Sequence, residues 1–200
     1  MKQNYQKMLE ETIAKNQREE RVPSLLLHSC CAPCSSYCLE YLSQYFKITV
    51  FYYNPNIYPE EEYTKRVAEQ QHFIERLPAK YPISFVEGTY DKECFYEMAR
   101  GLEDVKEGGE RCFRCYELRL RESAELAKEL NAEKIVLGYP KNMNGSLGPR
   151  AEKTQRLAGL IKELSDIPII LWDERLTTVS AHNLMNETNV RGKKRKESVD

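Results

Sequence analysis

The sequence predicts an α/β fold with a mostly parallel, Rossmann-like sheet and flanking helices. Short apolar segments, beginning with Leu25-Leu26-Leu27, alternate along the chain with longer segments whose apolar residues recur at helical spacing. Parallel strands need a crossover connection, and a helix between successive strands supplies one. The composition fits a globular protein, because 41% of the 200 residues are hydrophobic and 30% are charged.

Local signals place the elements in order. Pro23 ends a first amphipathic helix over residues 1–21, and Ser35 or Ser36 is predicted to cap the helix after the first strand. Pro59 and the three glutamates after it begin another helix, since acidic residues in a first turn complement the helix dipole. Asp91 is predicted to cap a helix that ends near residue 100. The predicted strands are 25–27, 48–53, 83–86, 135–137 and 168–172, and the remaining helices are 59–77, 116–130, 150–164 and 178–187.

The chain is predicted to comprise a first region at residues 1–131, a second at 132–187 and a basic tail at 188–200. The net charge is −1, with an acidic first region and a basic remainder, so nucleic-acid binding would need a local basic patch. No apolar run approaches the ~18 residues of a membrane span. The N-terminus also lacks the apolar centre of a signal peptide. We therefore expect a cytoplasmic protein with no membrane partner.

Five of the seven cysteines fall into two clusters, Cys30, Cys31 and Cys34 followed by Cys112 and Cys115. Clustered thiols in a reducing compartment are usually metal ligands or redox groups. The first cluster follows the first predicted strand, and the second opens a helix later in the same order. Both clusters are therefore predicted to meet at one edge of the sheet.

Three interpretations of these cysteines follow from their spacing. A zinc site would use Cys31 and Cys34 with Cys112 and Cys115, each pair at C-x2-C spacing. An iron–sulfur cluster would use the vicinal Cys30 and Cys31 with Cys112 and Cys115. A metal-free dithiol would use either C-x2-C pair alone. Side chains of adjacent residues diverge, so the vicinal pair suits a bulky cluster better than one small ion, but spacing leaves all three open.

The motifs that contain these cysteines resemble one known family. His28-Ser29-Cys30-Cys31-Ala32-Pro33-Cys34-Ser35, Phe51-Tyr52-Tyr53-Asn54-Pro55-Asn56-Ile57-Tyr58-Pro59 and Glu110-Arg111-Cys112-Phe113-Arg114-Cys115 are similar to the QueH-type epoxyqueuosine reductases, over about residues 1–131. The resemblance implies a [4Fe-4S] cluster held by Cys30, Cys31, Cys112 and Cys115. It also implies reduction, without cobalamin, of the epoxide of epoxyqueuosine in tRNA to queuosine.

The chemistry implied by this resemblance needs an electron carrier and a bound RNA. Opening an epoxide to an alkene consumes two electrons and two protons, so a cluster and an electron donor, whose identity the sequence does not give, are expected. Arg111, Phe113, Arg114 and Tyr116 alternate charged and aromatic side chains, which would suit phosphate contact and base stacking. The alternative is that Phe113 and Tyr116 belong to the core. Cys38 and Cys94 are expected to be buried on helix faces and not to be ligands.

A second family resemblance begins near residue 133. Lys134-Ile135-Val136-Leu137-Gly138-Tyr139-Pro140-Lys141-Asn142-Met143-Asn144-Gly145 and Leu171-Trp172-Asp173-Glu174-Arg175-Leu176-Thr177-Thr178 are similar to the YqgF/RuvX-type proteins, RNase H-like candidate nucleases of pre-16S rRNA. The resemblance implies that this βαβ segment forms part of an RNase H-like fold. It also implies that Glu174 and Asp200 stand where two of the family's metal-binding carboxylates lie.

Each resemblance covers only part of its family. The nuclease family's first aspartate lies on a strand with no counterpart here, so we expect no nuclease activity from an incomplete carboxylate set. The reductase family carries a late C-x-C pair, and no cysteine follows Cys115. We therefore expect an impaired reductase, with a pre-16S rRNA nuclease or a non-catalytic zinc and RNA-binding module as the alternatives.

Overall fold

Helices and strands alternate through the part of the chain that the structure, a computed structural model, describes, residues 5–142 and 144–173. The predicted helix at 178–187 and the basic tail at 188–200 lie outside it. The elements in order are α1 (Tyr5–Arg18), β1 (Ser24–His28), α2 (Ala32–Leu42), β2 (Lys47–Tyr52), α3 (Glu60–Arg76), β3 (Ile83–Glu87), α4 (Lys92–Ala99), α5 (Glu110–Glu129), β4 (Ile135–Tyr139), α6 (Pro149–Leu164) and β5 (Ile169–Asp173).

The first three strands form a parallel sheet in the order β1-β2-β3. Helices α2 and α3 provide the crossovers that parallel neighbours require. The central strand β2 contributes the buried Ile48, Val50 and Tyr52 because it has a neighbour on each side and helices over the sheet. Leu39 of α2 packs with Ile48 and Val50, and Tyr63 of α3 packs with Tyr52.

The last two strands, β4 and β5, form a separate parallel pair joined by α6. The prediction of an α/β protein with parallel strands and flanking helices is confirmed, with the described strands divided between two sheets. The chain divides into two compact units, one of Met1–Ala132 with Leu160–Asp166 and one of Glu133–Gly159 with Ile167–Asp200. No helix in residues 5–142 and 144–173 combines the length and the apolar character needed to cross a membrane.

Two of the predicted helix starts are confirmed by the structure, and two are wrong. Pro59 precedes α3, whose first turn contains the three glutamates, and the Asp91 carboxylate accepts a hydrogen bond from Cys94 N at 3.1 Å, so both predictions are confirmed. The predicted cap at Ser35 or Ser36 is wrong, because α2 begins at Ala32 with Pro33 in its first turn. Helix α5 begins at Glu110, not at 116, and its first turns contain the second cysteine pair.

Candidate metal centre

Three thiols converge directly after β1. Cys30 and Cys31 lie between β1 and α2, and Cys34 lies in the first turn of α2. The Sγ atoms of Cys30 and Cys31 are 3.9 Å apart, and those of Cys31 and Cys34 are 2.9 Å apart. All three Sγ atoms lie within 4.8 Å of one another, and none forms a disulfide. This trio has the proximity and the free thiols that a metal site requires.

Side chains hold the backbone of this cysteine loop in place. Three consecutive carbonyl groups each accept a hydrogen bond, from Asn54 Nδ2 to Ser29 O (2.9 Å), from Tyr52 OH to Cys30 O (3.1 Å) and from Ser35 Oγ to Cys31 O (3.0 Å). The amide of Ser29 also donates to Phe51 O at 2.9 Å. The donors come from β2, from the turn after it and from α2, so the loop is positioned by the sheet and by the helix it leads into.

Gln70 of helix α3 also supports the cysteine loop, through its contacts with the buried side chains of Ser29 and Ser35. The Oε1 atom of Gln70 accepts a hydrogen bond from the Ser29 hydroxyl at 3.0 Å and lies at the same distance from the Ser35 hydroxyl oxygen. Gln70 has no exposed surface, and Ser29 and Ser35 are buried. Buried hydroxyl groups are costly without partners, so one glutamine stabilises both serines and, through them, the cysteine loop.

The second cysteine pair lies in the first turns of α5. Gly108 has a φ of 78°, a left-handed conformation that favours glycine, and its amide donates a hydrogen bond to Cys112 Sγ at 3.2 Å. A Cβ at Gly109 would lie 2.9 Å from the Lys106 carbonyl oxygen, so the loop before α5 also requires this glycine. Cys115 is three residues further along and is buried. Residues at this spacing share a helix face.

Arg119 connects the two cysteine groups electrostatically. Its Nη1 donates to Asn54 Oδ1 at 3.4 Å and its Nε donates to Cys115 O at 3.4 Å. Burial raises the pKa of Cys115, and burial also raises the pKa of Cys30, while the Arg119 charge acts against both increases. One guanidinium on α5 therefore favours the thiolate form in both groups.

Hydrogen bonding between Cys31 and Cys34 shifts the pKa values of the two thiols in opposite directions. Burial opposes ionisation of Cys31, but hydrogen bonding with Cys34 and the charge of Arg66 outweigh it and lower the Cys31 pKa. The same hydrogen bond raises the pKa of Cys34 to about 12. The trio thus combines a thiolate-favouring cysteine with a neighbouring proton donor, and a metal ion would displace such a proton on binding.

The structure brings only some of the predicted site residues together. Cys30 and Cys31 lie with Cys34, and the only group of metal-ligating side chains that converges within the described residues contains those three. Cys112 and Cys115 lie on α5, near Arg119. Glu174 and Asp200 lie outside the described residues.

Two expectations about neighbouring side chains need correction. Phe113 is a core residue, Arg114 pairs with Glu110 at 3.1 Å, and only Tyr116 of the two predicted aromatic side chains is exposed. The interleaved aromatic and basic surface is therefore not formed, because alternate residues of a helix point in different directions. Cys38 is exposed and Cys94 is half-buried, so the expected burial of both was wrong.

Sequence reasoning missed the residues that support the loop. Asn54 and Ser35 stand in the QueH-like motifs, and Ser35 is also a predicted cap, but neither signal predicts their contacts with the loop, while Gln70 and Arg119 carry no local signal. Each is recognised through a contact with a residue distant in the sequence.

Together these features define a class of protein, a parallel α/β protein that presents clustered free thiols after its first strand. The family model for epoxyqueuosine reductase QueH matches residues 25–138, and the RuvX family model, described as Holliday junction resolvase, matches residues 97–200. The chain belongs to the QueH family through its first part and to the RuvX family through its second.

Individual relatives agree with both assignments. The chain is 42% identical over 130 residues to an epoxyqueuosine reductase QueH of Staphylococcus epidermidis, which covers 63% of this chain and 55% of that protein. It is 40% identical over 129 residues to a QueH of Streptococcus pyogenes, covering 64% of this chain and 51% of the relative. A candidate pre-16S rRNA nuclease of Bacillus cytotoxicus is 46% identical over 102 residues, 51% of this chain and 72% of the relative. The chain thus spans about half the length of the curated QueH relatives it matches.

The two family matches overlap over residues 97–138. The overlap starts well before residue 133, where the motifs alone place the second resemblance. It contains α5 and all but the last residue of β4, so the helix with Cys112 and Cys115 lies in a segment that both family models match.

We predict that Gln70→Ala destabilises the fold by about 1–3 kcal/mol, because two buried hydroxyl groups lose their contact with the Gln70 side chain. The unpaired, buried Nε2 of Gln70 is removed by the same change, which places the loss towards the lower end of that range. Urea denaturation followed by circular dichroism measures the free energy of unfolding.

The neighbouring Gln71 is the matched control, since it has the same side chain on the same helix but is exposed. Gln71→Ala should change the free energy of unfolding by less than about 0.5 kcal/mol. Equal unfolding midpoints for the two variants would contradict the role assigned to Gln70.

Proposed function

We propose that this chain is a tRNA-modifying reductase that uses a [4Fe-4S] cluster to convert epoxyqueuosine in tRNA to queuosine. The observation that carries the proposal is the cysteine loop of a QueH-family sequence, with Cys30 and Cys31 beside each other and Arg119 acting on both Cys30 and Cys115. The proposed ligands are Cys30, Cys31, Cys112 and Cys115. An external electron donor completes the proposal.

The chemistry of the donor set fits such a cluster. Four thiolates around one centre accumulate negative charge, and Arg66 and Arg119 place positive charge beside the thiols. The Gly108 amide that donates to Cys112 Sγ is the kind of contact that adjusts the reduction potential of a cluster. When bound, a [4Fe-4S] cluster would supply one-electron transfer at this site.

The chain's own residues keep the ligands in position. The hydrogen bonds from Asn54, Tyr52 and Ser35 hold the loop backbone, so both vicinal side chains leave a fixed segment. Helix α5 presents Cys112 and Cys115 three residues apart. These contacts orient the donors before any metal arrives, which lowers the ordering cost of binding.

A structural zinc site is the second candidate, and the C-x2-C pair within the trio favours it. The Sγ atoms of Cys31 and Cys34 lie 2.9 Å apart and would have to separate to the ~3.8 Å that a tetrahedral ion with ~2.3 Å Zn–S bonds sets between two ligands. The zinc set would contain Cys31, Cys34, Cys112 and Cys115. It differs from the iron–sulfur set only by the exchange of Cys30 for Cys34.

The nuclease-family part is proposed to have no hydrolytic role. Asp173 at the end of β5 is buried, and its carboxylate lies 3.9 Å from Lys141 Nζ, so it is paired within its own unit. Magnesium-dependent cleavage of a pre-16S rRNA leader that is lost in Glu174→Gln would contradict this proposal.

We predict that Cys30→Ala and Cys34→Ala separate the two metal sites. The iron–sulfur set predicts that Cys30→Ala abolishes iron and sulfide binding, whereas Cys34→Ala retains both. Anaerobic reconstitution followed by iron, sulfide and zinc analysis measures the result. Cys38→Ala is the control, because this exposed cysteine lies one turn beyond Cys34 on the same helix.

The reverse pattern, with metal lost in Cys34→Ala and retained in Cys30→Ala, would refute the proposed ligand assignment and support the zinc set.

We predict that the reconstituted protein converts epoxyqueuosine to queuosine in tRNA when dithionite supplies the two electrons. Chromatography of the nucleosides from digested tRNA measures the conversion. Cys112→Ala should give none, because a ligand is lost, and Cys38→Ala should match the unaltered chain. Undiminished conversion by Cys112→Ala, or no conversion by a chain shown to hold its cluster, would refute the reductase proposal.

A further inference from the structure

We propose that a row of tyrosines along α2 and the turn that follows it, together with the cavity at its end, binds an unpaired RNA loop beside the cysteine site. Tyr37, Tyr41 and Tyr45 define this tyrosine row. The proposal rests on the proposed function for its choice of RNA as substrate. It adds the surface that receives the RNA, which is different from the Arg111–Tyr116 segment predicted from sequence.

Tyr37 and Tyr41 lie four residues apart and share a face of α2, and Tyr45 in the turn after the helix continues the series. The Tyr37 and Tyr41 rings are stacked, with centroids 6.2 Å apart and an interplanar angle of 12°. The Tyr41 and Tyr45 rings meet edge to face at 5.5 Å. Tyr37, at the end of the series, is 65% exposed. A ring stacked on one side and exposed to solvent is a ready platform for a nucleobase.

The row begins at the cysteines. Cys34 lies three residues before Tyr37 on α2, so the two side chains share a helix face, and Cys34 Sγ is 2.9 Å from Cys31 Sγ. A base that stacks on Tyr37 would therefore lie close to the proposed cluster ligands. This is where a reductase must hold the modified base of its substrate.

The other end of the row forms one wall of a cavity of about 300 Å³. Its lining combines three chemical types that recognise a nucleotide, namely aromatic rings for stacking, side-chain amides for base edges and cations for phosphate. These are Tyr45 and Tyr81, then Asn16, Gln17 and Gln44, then Arg21 and Lys80, and the remaining lining residues are Ile13, Val22 and the acidic Glu20. The volume is at the small end of ligand pockets, which suits a single nucleotide.

Charge along the row favours RNA bases over a phosphate backbone at Tyr37. Glu40 is exposed on α2 between Tyr37 and Tyr41 and would repel phosphate there. The cavity beside Tyr45 is lined by two cations, Arg21 and Lys80, against one carboxylate, Glu20, so its charged lining is net positive. The expected arrangement is therefore bases on the rings and a phosphate group near Lys80, which an unpaired loop can adopt and a duplex cannot.

The test measures binding of a fluorescent stem–loop RNA with unmodified bases to the anaerobically purified chain, by anisotropy. Tyr37→Ala should weaken binding about fivefold or more, the equivalent of losing ~1 kcal/mol of base stacking. Tyr37→Phe should bind as the unaltered chain does, because the ring remains. Tyr96→Ala, which removes an exposed tyrosine of α4, is the matched control and should have no effect.

A second variant tests the cavity. Lys80→Gln should weaken binding and reduce the slope of log affinity against log salt by about one, as expected for one lost phosphate contact. Lys128→Gln removes a lysine that pairs with Glu125 at 3.2 Å and should leave the slope unchanged.

Equal affinity of Tyr37→Ala and the unaltered chain would overturn the proposal, as would equal binding of a fully paired RNA or no binding of the stem–loop. The RNA carries no epoxide, and iron and sulfide are measured on the same preparations. Failure of RNA binding is thereby distinguished from failure of the cluster assignment.

Discussion

The arrangement of this site depends on three consecutive carbonyl groups, those of Ser29, Cys30 and Cys31, which each accept a hydrogen bond from a side chain. Adjacent cysteines normally project in different directions, so a site that uses both needs its backbone held still. The central strand and α2 provide this constraint, and Gln70 extends it to α3. The hydrogen-bond network of the first unit therefore reaches the loop where the cysteine cluster begins.

The electrostatics of the site follow from the same packing. Asn54 holds the Ser29 carbonyl through its Nδ2 and accepts a hydrogen bond from Arg119 through its Oδ1. One side chain thus connects the loop backbone to the cation that favours thiolates at Cys30 and Cys115. Substitution of Asn54 would disturb both the position and the ionisation of the cysteines. Asn54 therefore contributes both to the packing of the site and to its charge distribution.

Much of the fold could be predicted from the sequence, because apolar runs and cap residues act locally. Pro59 and Asp91 mark helix starts that the structure contains. The Gln70 network could not be predicted, since its hydrogen bonds join residues 35 and 41 positions apart. The family resemblance supplied the proposed ligands, yet only the folded chain showed that Cys34 lies with Cys30 and Cys31. The exposure of Tyr37 at the end of the tyrosine row likewise required the orientation of α2.

The central claim is that this cysteine site holds an iron–sulfur cluster, and the most direct test is metal and sulfide analysis with a visible spectrum after anaerobic purification. The account predicts a brown protein with about four iron and four sulfide ions per chain, as expected for a [4Fe-4S] cluster on four thiolates. A colourless protein with about one zinc ion per chain would contradict it, because a closed four-cysteine zinc site carries no electrons.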